Sequence, residues 1–243
     1  WLLLDYDTKG LSAAVFSRIE QLGGIMNALH HVWPELENGD FVVRPSSSAG
    51  VHIIGDPAPS VSGFHMFVRL KQAADIPQAL KTLHSHCWLH GLGYHMISKS
   101  GHLLDRSIVD ITVGSPERLI FTAPPILGEG IVRETQYGAV QQGVALACPT
   151  VTFGSQWSRS RDIDRQKSQP DAAKQRSVYL RKSIEDRQAS HGGSYAAAEA
   201  IVLNRIEGRQ LLDDDVLQLS SGAEVTVGDI LDQIKLGERI SCA

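Results

Sequence analysis

No apolar run in these 243 residues approaches the roughly 20 needed to span a bilayer, and no basic stretch precedes the hydrophobic N-terminus. The chain therefore reads as soluble and intracellular, with no membrane among its expected partners. Cysteine is scarce. Cys87, Cys148 and Cys242 are odd in number and fall at no metal-ligand spacing, which fits a reducing compartment, not a disulfide framework, and argues against a zinc site built from cysteines. An excess of positive charge is missing too. The formal net charge of −4 argues against a protein that coats nucleic acid over its whole surface, while leaving room for a local basic groove. No internal repeat is present. An initiating Met is also lacking and the chain opens in mid-strand, so a fragment without its N-terminal portion is expected. What remains is ordinary: 42% hydrophobic and 21% charged residues, in a length that suits one large domain or one domain with an appendage.

The hydrophobic start carries the first chemical signal. Trp1-Leu2-Leu3-Leu4-Asp5-Tyr6-Asp7 is an apolar run ending in two carboxylates spaced one apart. In an extended strand Asp5 and Asp7 share a face while Leu4 and Tyr6 point the other way. Two carboxylates at the end of a buried strand are costly to desolvate, and a divalent cation with oxygen ligands, Mg²⁺ or Mn²⁺, resolves that cost. A strand running into a polar turn also ends in Asp for solvation or to cap the next helix, so the pair acquires meaning only with partners.

Leu11–Val32 reads as one helix or two, with Ser12 as cap and Gly23-Gly24 as a break. Phe41–Arg44 is a short strand entering the small, polar turn Pro45–Gly50. Gly63–Leu70 alternates as a second strand, with His65, Phe67 and Arg69 on one face. Asp75-Ile76-Pro77 opens a helix with Asp75 as N-cap and a stripe of Ile76, Leu80, Leu83 and Cys87. Tyr94–Ser98, Ser107–Val113 and Arg118–Phe121 read as further strands. In the second of these, Asp110 is presented from a β-branched run where propensity does not ask for it. The order is that of an α+β layer. Residues 159–182 then hold eight Lys or Arg against three Asp, a basic helix or linker. A helix at Ser194–Ile206, a hairpin at Val216–Val227 and a closing helix at Gly228–Leu236 follow.

Asp5, Asp7 and Asp110, strand-borne His65 and a Ser/Gly-rich turn make a chemically coherent set. The acids would hold two divalent ions about 3.5–4 Å apart, which activate a 3′-hydroxyl and neutralise a departing pyrophosphate. His65 and backbone N–H groups of Ser46–Gly50 and Ser62-Gly63 would donate to triphosphate oxygens. The pattern resembles the archaeo-eukaryotic primase superfamily, specifically its phage- and plasmid-type primase-polymerases. The matching motifs are Leu4-Asp5-Tyr6-Asp7, then Arg44–Gly50 with Ser62-Gly63-Phe64-His65, then Arg106-Ser107-Ile108-Val109-Asp110. The family's second motif is Ser-x-His, whereas here Ser62 stands three before His65. The resemblance implies a palm/RRM-like mixed sheet with flanking helices and a mainly helical C-terminal appendage. It implies a DNA primase-polymerase with Asp5, Asp7 and Asp110 as catalytic metal ligands, and His65, Ser48, Ser62 and Arg106 as nucleotide contacts. Implied cofactors are two Mg²⁺ or Mn²⁺ ions, with no zinc. Implied partners are single-stranded or primed DNA, nucleoside triphosphates and a replicative helicase, in a bacterial cytoplasm or a phage-infected host. The organisation expected is a catalytic core at 1–135, a linker and basic helical segment at 136–190, and a small helical and hairpin segment at 191–243 leading toward a helicase-like region.

Other residues weigh less. Arg106 equally suits a surface ion pair with Asp105, and Arg44, Arg69 and Lys99 equally suit a basic cleft or plain solvation. His84-Ser85-His86-Cys87 and His30-His31 fail as zinc motifs, because positions one or two apart on a helix do not share a face. Trp33, Trp88 and Trp157 read as core before they read as base-stacking platforms. Two other functions use the same residues: a two-metal nuclease, and a non-catalytic module binding DNA or a helicase through its basic stretch.

Overall fold

The computed structural model describes residues 1–7, 10–57, 63–115, 120, 123–134, 138–150, 156–206, 216–218 and 224–227. The protein is a mixed α+β molecule with antiparallel sheets, in two compact units: residues 1–96 with 103–169, and residues 97–102 with 170–243. Among the described residues no helix is long and apolar enough to cross a membrane.

The first unit is built on β1 (Leu2–Tyr6), β2 (Phe41–Pro45), β4 (Phe64–Val68) and β8 (Ala139–Gln141), in the order β1-β4-β2-β8. β4 pairs antiparallel with both neighbours, so that Asp5 and Arg44 each lie opposite His65, and Leu4 and Val43 each lie opposite Met66. Residues directly opposed across antiparallel strands share a face of the sheet. One face therefore carries Leu2, Leu4, Tyr6, Phe41, Met66 and Val68, all buried.

Helices α1 (Ala13–Gln21), α2 (Ile25–Val32) and α3 (Ile76–Leu89) supply the rest of this core, through Val15 and Ile19, Leu29 and Val32, and Leu80, Leu83 and Cys87. Burying each such aliphatic side chain contributes about 1.5–3 kcal/mol. Ser12 caps α1 through its side chain, and the chain breaks at Gly23-Gly24 as the sequence pattern predicts. Asp75 differs. It stands at the N-cap position of α3 but makes no capping hydrogen bond, because a short 3₁₀ turn (Ala73–Asp75) leads into the helix and holds Asp75 in helical backbone geometry.

Two further expectations are corrected. The strand read over Ser107–Val113 is β6 (Leu103–Ser107), which pairs with β5 (Gly93–Ile97) and stops short of Asp110. Asp110 instead opens a 3₁₀ turn, Ile111–Gly114. Side chains end the strand: the Ser107 hydroxyl bonds both backbone groups of Val109, and Asp110 accepts from Thr112, offering the backbone an alternative to the ladder. The core also reaches past residue 135. β8 adds an edge strand beside β2, Leu146 is buried, and the Gln141 amide donates to the carbonyls of Glu37 and Gly39 at 2.9 Å each. A separate ribbon pairs β3 (Val51–Ile53) with β7 (Ile131–Arg133). Apart from Ile120, the strand expected at Arg118–Phe121 lies outside the described residues, as do the tip of the Val216–Val227 hairpin and the helix expected at Gly228–Leu236.

Helix α4 (Gln156–His191) is polar nearly throughout, with Ala172 and Ile184 as its buried residues. In the second unit Ile184 joins Ala198 and Val202 of α5 (Tyr195–Ile206) in a small cluster of their own. β9 (Val216–Gln218) and β10 (Glu224–Thr226) pair antiparallel in the same unit.

The α2–α3 contact makes stability pH-dependent. His90 packs edge-on against His31 at 4.5 Å between ring centroids. Burial, and then the charges of His31, His86 and Arg18, lower its pKa from the ordinary 6.5. The folded state therefore resists the proton that the unfolded chain accepts, and this contribution is intact above pH 6.5 and lost as pH falls toward His90's lowered value. The melting temperature should drop from pH 8 to pH 5.5, and less so in His90→Gln. An equal drop in parent and variant would remove His90 as the cause.

Candidate active site

The face of the sheet opposite the helices carries the chemistry. Arg44, His65 and Asp5 form a row across β2, β4 and β1. His65 Nε2 lies 3.6 Å from Asp5 Oδ1, with the two side chains 11% and 22% exposed. The other ring nitrogen, His65 Nδ1, is buried and finds no hydrogen-bond partner among the described residues. An unmet buried polar atom costs about 1–3 kcal/mol, and such an atom is where a ligand gains most by supplying the missing bond.

β1 delivers Asp5 and then Asp7 to a cleft of about 640 Å³ that is also lined by Tyr94, Asp105, Arg106 and Asp110. Two tyrosines feel the charge of the acids. Burial pushes the Tyr94 hydroxyl's pKa up against the lowering influence of Arg106, and the charges of Asp7 and Asp110 push it further. Burial, then Tyr94 and Asp7, do the same to Tyr6. The charges of Asp7 and Asp110 thus both act on Tyr94, although they come from separate elements.

Asp110 is held locally. Its Oδ1 accepts from Thr112 N at 2.8 Å and Thr112 Oγ1 at 2.7 Å, with Arg106 Nη1 at 3.9 Å. Arg106 therefore sits beside the third acid and lines the cleft. Asp5, Asp7 and Asp110 offer only oxygen donors, the set that hard Mg²⁺ or Mn²⁺ takes. Among the described residues, no three His, Cys, Asp or Glu side chains are grouped to hold a metal ion as they stand. Metal binding at these acids would require their side chains to turn toward a common point in the cleft.

The serines sort differently. Ser48 is exposed, with its hydroxyl 3.4 Å from that of Ser46. Ser62 lies outside the described residues. Ser46, which motif spacing did not single out, is the serine that meets the strand ends: its N–H donates to Gly63 O at 3.0 Å. A Cβ at Gly63 would lie 2.8 Å from Tyr6 O and 3.3 Å from Ser46 Oγ, so only glycine allows β1, β4 and the turn to close up. Arg133 secures the turn from β7, donating to Ala49 O at 3.0 Å and Ser46 O at 3.4 Å.

Sequence reasoning also missed a hydrogen-bonded group at the cleft wall. His84 joins Ser107 at 2.9 Å and Asp105 at 3.0 Å, and Trp88 Nε1 donates to Asp105 at 2.7 Å. Burial acts to raise the Asp105 pKa, but the hydrogen bond and charge of His84, the Trp88 N–H and Arg161 outweigh it and hold the carboxyl below its ordinary value. The available signal was positional: His84 falls four residues after Leu80 and four before Trp88, on the buried stripe of α3.

The remaining candidates have structural work. His86 Nδ1 meets Val32 O at 2.9 Å, away from His84's partners, and burial pushes the Cys87 thiol up to about 12. Arg69 pairs with Asp40 at 2.7 Å. The Lys99 carbonyl accepts from Gln175 at 3.0 Å in the second unit. Trp33 and Trp88 are buried, while Trp157 lies under the Arg161 guanidinium at 4.8 Å. Comparison with models of known protein families, with curated proteins and with solved structures finds no match to this chain.

Proposed function

We propose that the chain is a template-directed nucleotidyltransferase, a DNA primase-polymerase of the phage or plasmid kind, whose four-stranded sheet serves as a palm/RRM-like platform. The observation that carries this reading is the pairing of β1 with β4. It sets His65 against Asp5 on the sheet face away from the helices, while Asp5 shares a cleft with Asp7 and Asp110.

Asp5, Asp7 and Asp110 would hold two divalent ions, which supply Lewis acidity to the attacking 3′-hydroxyl and charge neutralisation to the leaving pyrophosphate. The chain's own groups do the rest. His65 donates to a triphosphate oxygen and so satisfies its buried ring, and Arg106 and the Ser46–Gly50 turn add positive charge and N–H donors. Exposed Arg159, Arg165 and Lys167 of α4 take backbone phosphates of the template.

In primed-template extension, Asp5→Ala and Asp110→Ala should each lower kcat by about 100-fold or more. His65→Ala should act mainly on nucleotide KM, raising it roughly 10- to 100-fold, the worth of a hydrogen bond to a charged group. An unchanged KM would return His65 to a structural role. DNA cleavage with no triphosphate present would assign the same acids to a nuclease instead, and Mn²⁺-dependent triphosphate binding separates an enzyme that joins nucleotides from a passive DNA-binding module. For the template, Arg165→Ala/Lys167→Ala should reduce the slope of log affinity against log salt by about 1.4, the loss of two phosphate contacts on single-stranded DNA. A slope equal to the parent's would place the DNA elsewhere.

A further inference from the structure

We infer that His84, Asp105 and Ser107 form a positioning relay that fixes the backbone from which Asp110 enters the cleft. This rests on the reading of Asp110 as a metal ligand and adds residues that neither the motifs nor the metal chemistry name.

Short contacts define the relay. Ser107 Oγ lies 2.8 Å from Val109 O. It accepts from Val109 N at 3.2 Å and meets His84 Nδ1 at 2.9 Å. Both backbone groups of Val109 are thereby tied to one side chain, immediately before Asp110. At the other end, His84 Nε2 lies 3.0 Å from Asp105 Oδ1, which Trp88 Nε1 also reaches at 2.7 Å, while Arg161 stands 3.5 Å from Asp105 Oδ2.

Both ring nitrogens of His84 are engaged by protein groups and its side chain is only 10% exposed, so its contacts run through Ser107 to the backbone that presents Asp110. Groups that orient metal ligands from behind typically change metal affinity about 10- to 100-fold when lost.

The test is Mn²⁺ binding by the whole chain without nucleotide, followed by electron paramagnetic resonance of the free ion, alongside extension kinetics. Ser107→Ala should weaken Mn²⁺ binding about 10-fold and lower kcat at limiting Mn²⁺, with recovery in excess metal and an unchanged nucleotide KM. Ser107→Thr keeps the hydroxyl and should match the parent. His84→Asn, whose amide replaces the hydrogen bond of Nδ1, should bind Mn²⁺ more tightly than His84→Gln, which reaches only toward Asp105. This second pair decides the matter if Ser107→Ala melts early. Parent-like Mn²⁺ affinity in Ser107→Ala, or equal affinities in His84→Asn and His84→Gln, would overturn the relay provided Asp110→Ala has lost binding. If Asp110→Ala binds Mn²⁺ like the parent, the metal role of Asp110 fails first and the relay with it.

Discussion

The pairing of β1 with β4 is the constraint on which the rest depends. Antiparallel register is all or nothing: a slip of one residue would turn Leu2, Leu4 and Tyr6 out of the core and drive Asp5 into it. Burial of those three side chains, with Met66 and Val68 opposite them, therefore also fixes Asp5 against His65 on the far face. Polar placement follows from apolar packing, and the 3.6 Å separation of the two side chains needs no separate device to set it.

Around that row, the site is finished by short-range polar bonds and not by further strands. Gly63 lets the Ser46 turn close on the end of β1. Ser107 and Asp110 stop β6 and fold the chain into a 3₁₀ turn, whose first residue is the third acid. These bonds are local in sequence, yet they place groups that are distant in sequence. Val109 and Ile108 anchor the turn in the same core that holds β1, so Asp110 arrives at the cleft of Asp5 and Asp7.

Helix α4 shows the opposite economy. It buries almost nothing along its length, so packing alone does not hold its N-terminal half. Polar contacts help to hold it: Asp164 accepts from the backbone and ring of His95 at 2.9 Å each, and Arg161 stands by Asp105. Arg161 and Asp164 are thus engaged in holding the helix, whereas Arg159, Arg165 and Lys167 are exposed. A charge count over the segment did not separate these two sets.

The elements whose signal is a repeating pattern were set by the order of residues alone. The apolar start of β1, the break between α1 and α2 at Gly23-Gly24, the stripe of α3 and the α+β class were legible because period-2 and period-3.6 burial leaves a mark on every second, third or fourth residue. Asp5, Asp7 and His65 were legible as candidates because charged or polar residues inside such patterns are costly and stand out. Which groups meet was settled by packing between distant segments. Ser46 in place of Ser48 at the strand ends, the engagement of His84 by Asp105 and Ser107, and the return of Gln141 and Leu146 to the sheet depend on contacts between distant segments, and pairwise proximity leaves no periodic trace. Asp110 shows both influences at once. Alternation suggested a strand, but the bonds of Ser107 and Thr112 made a turn, since a hydroxyl or carboxylate beside its own backbone competes directly with the ladder it would otherwise join.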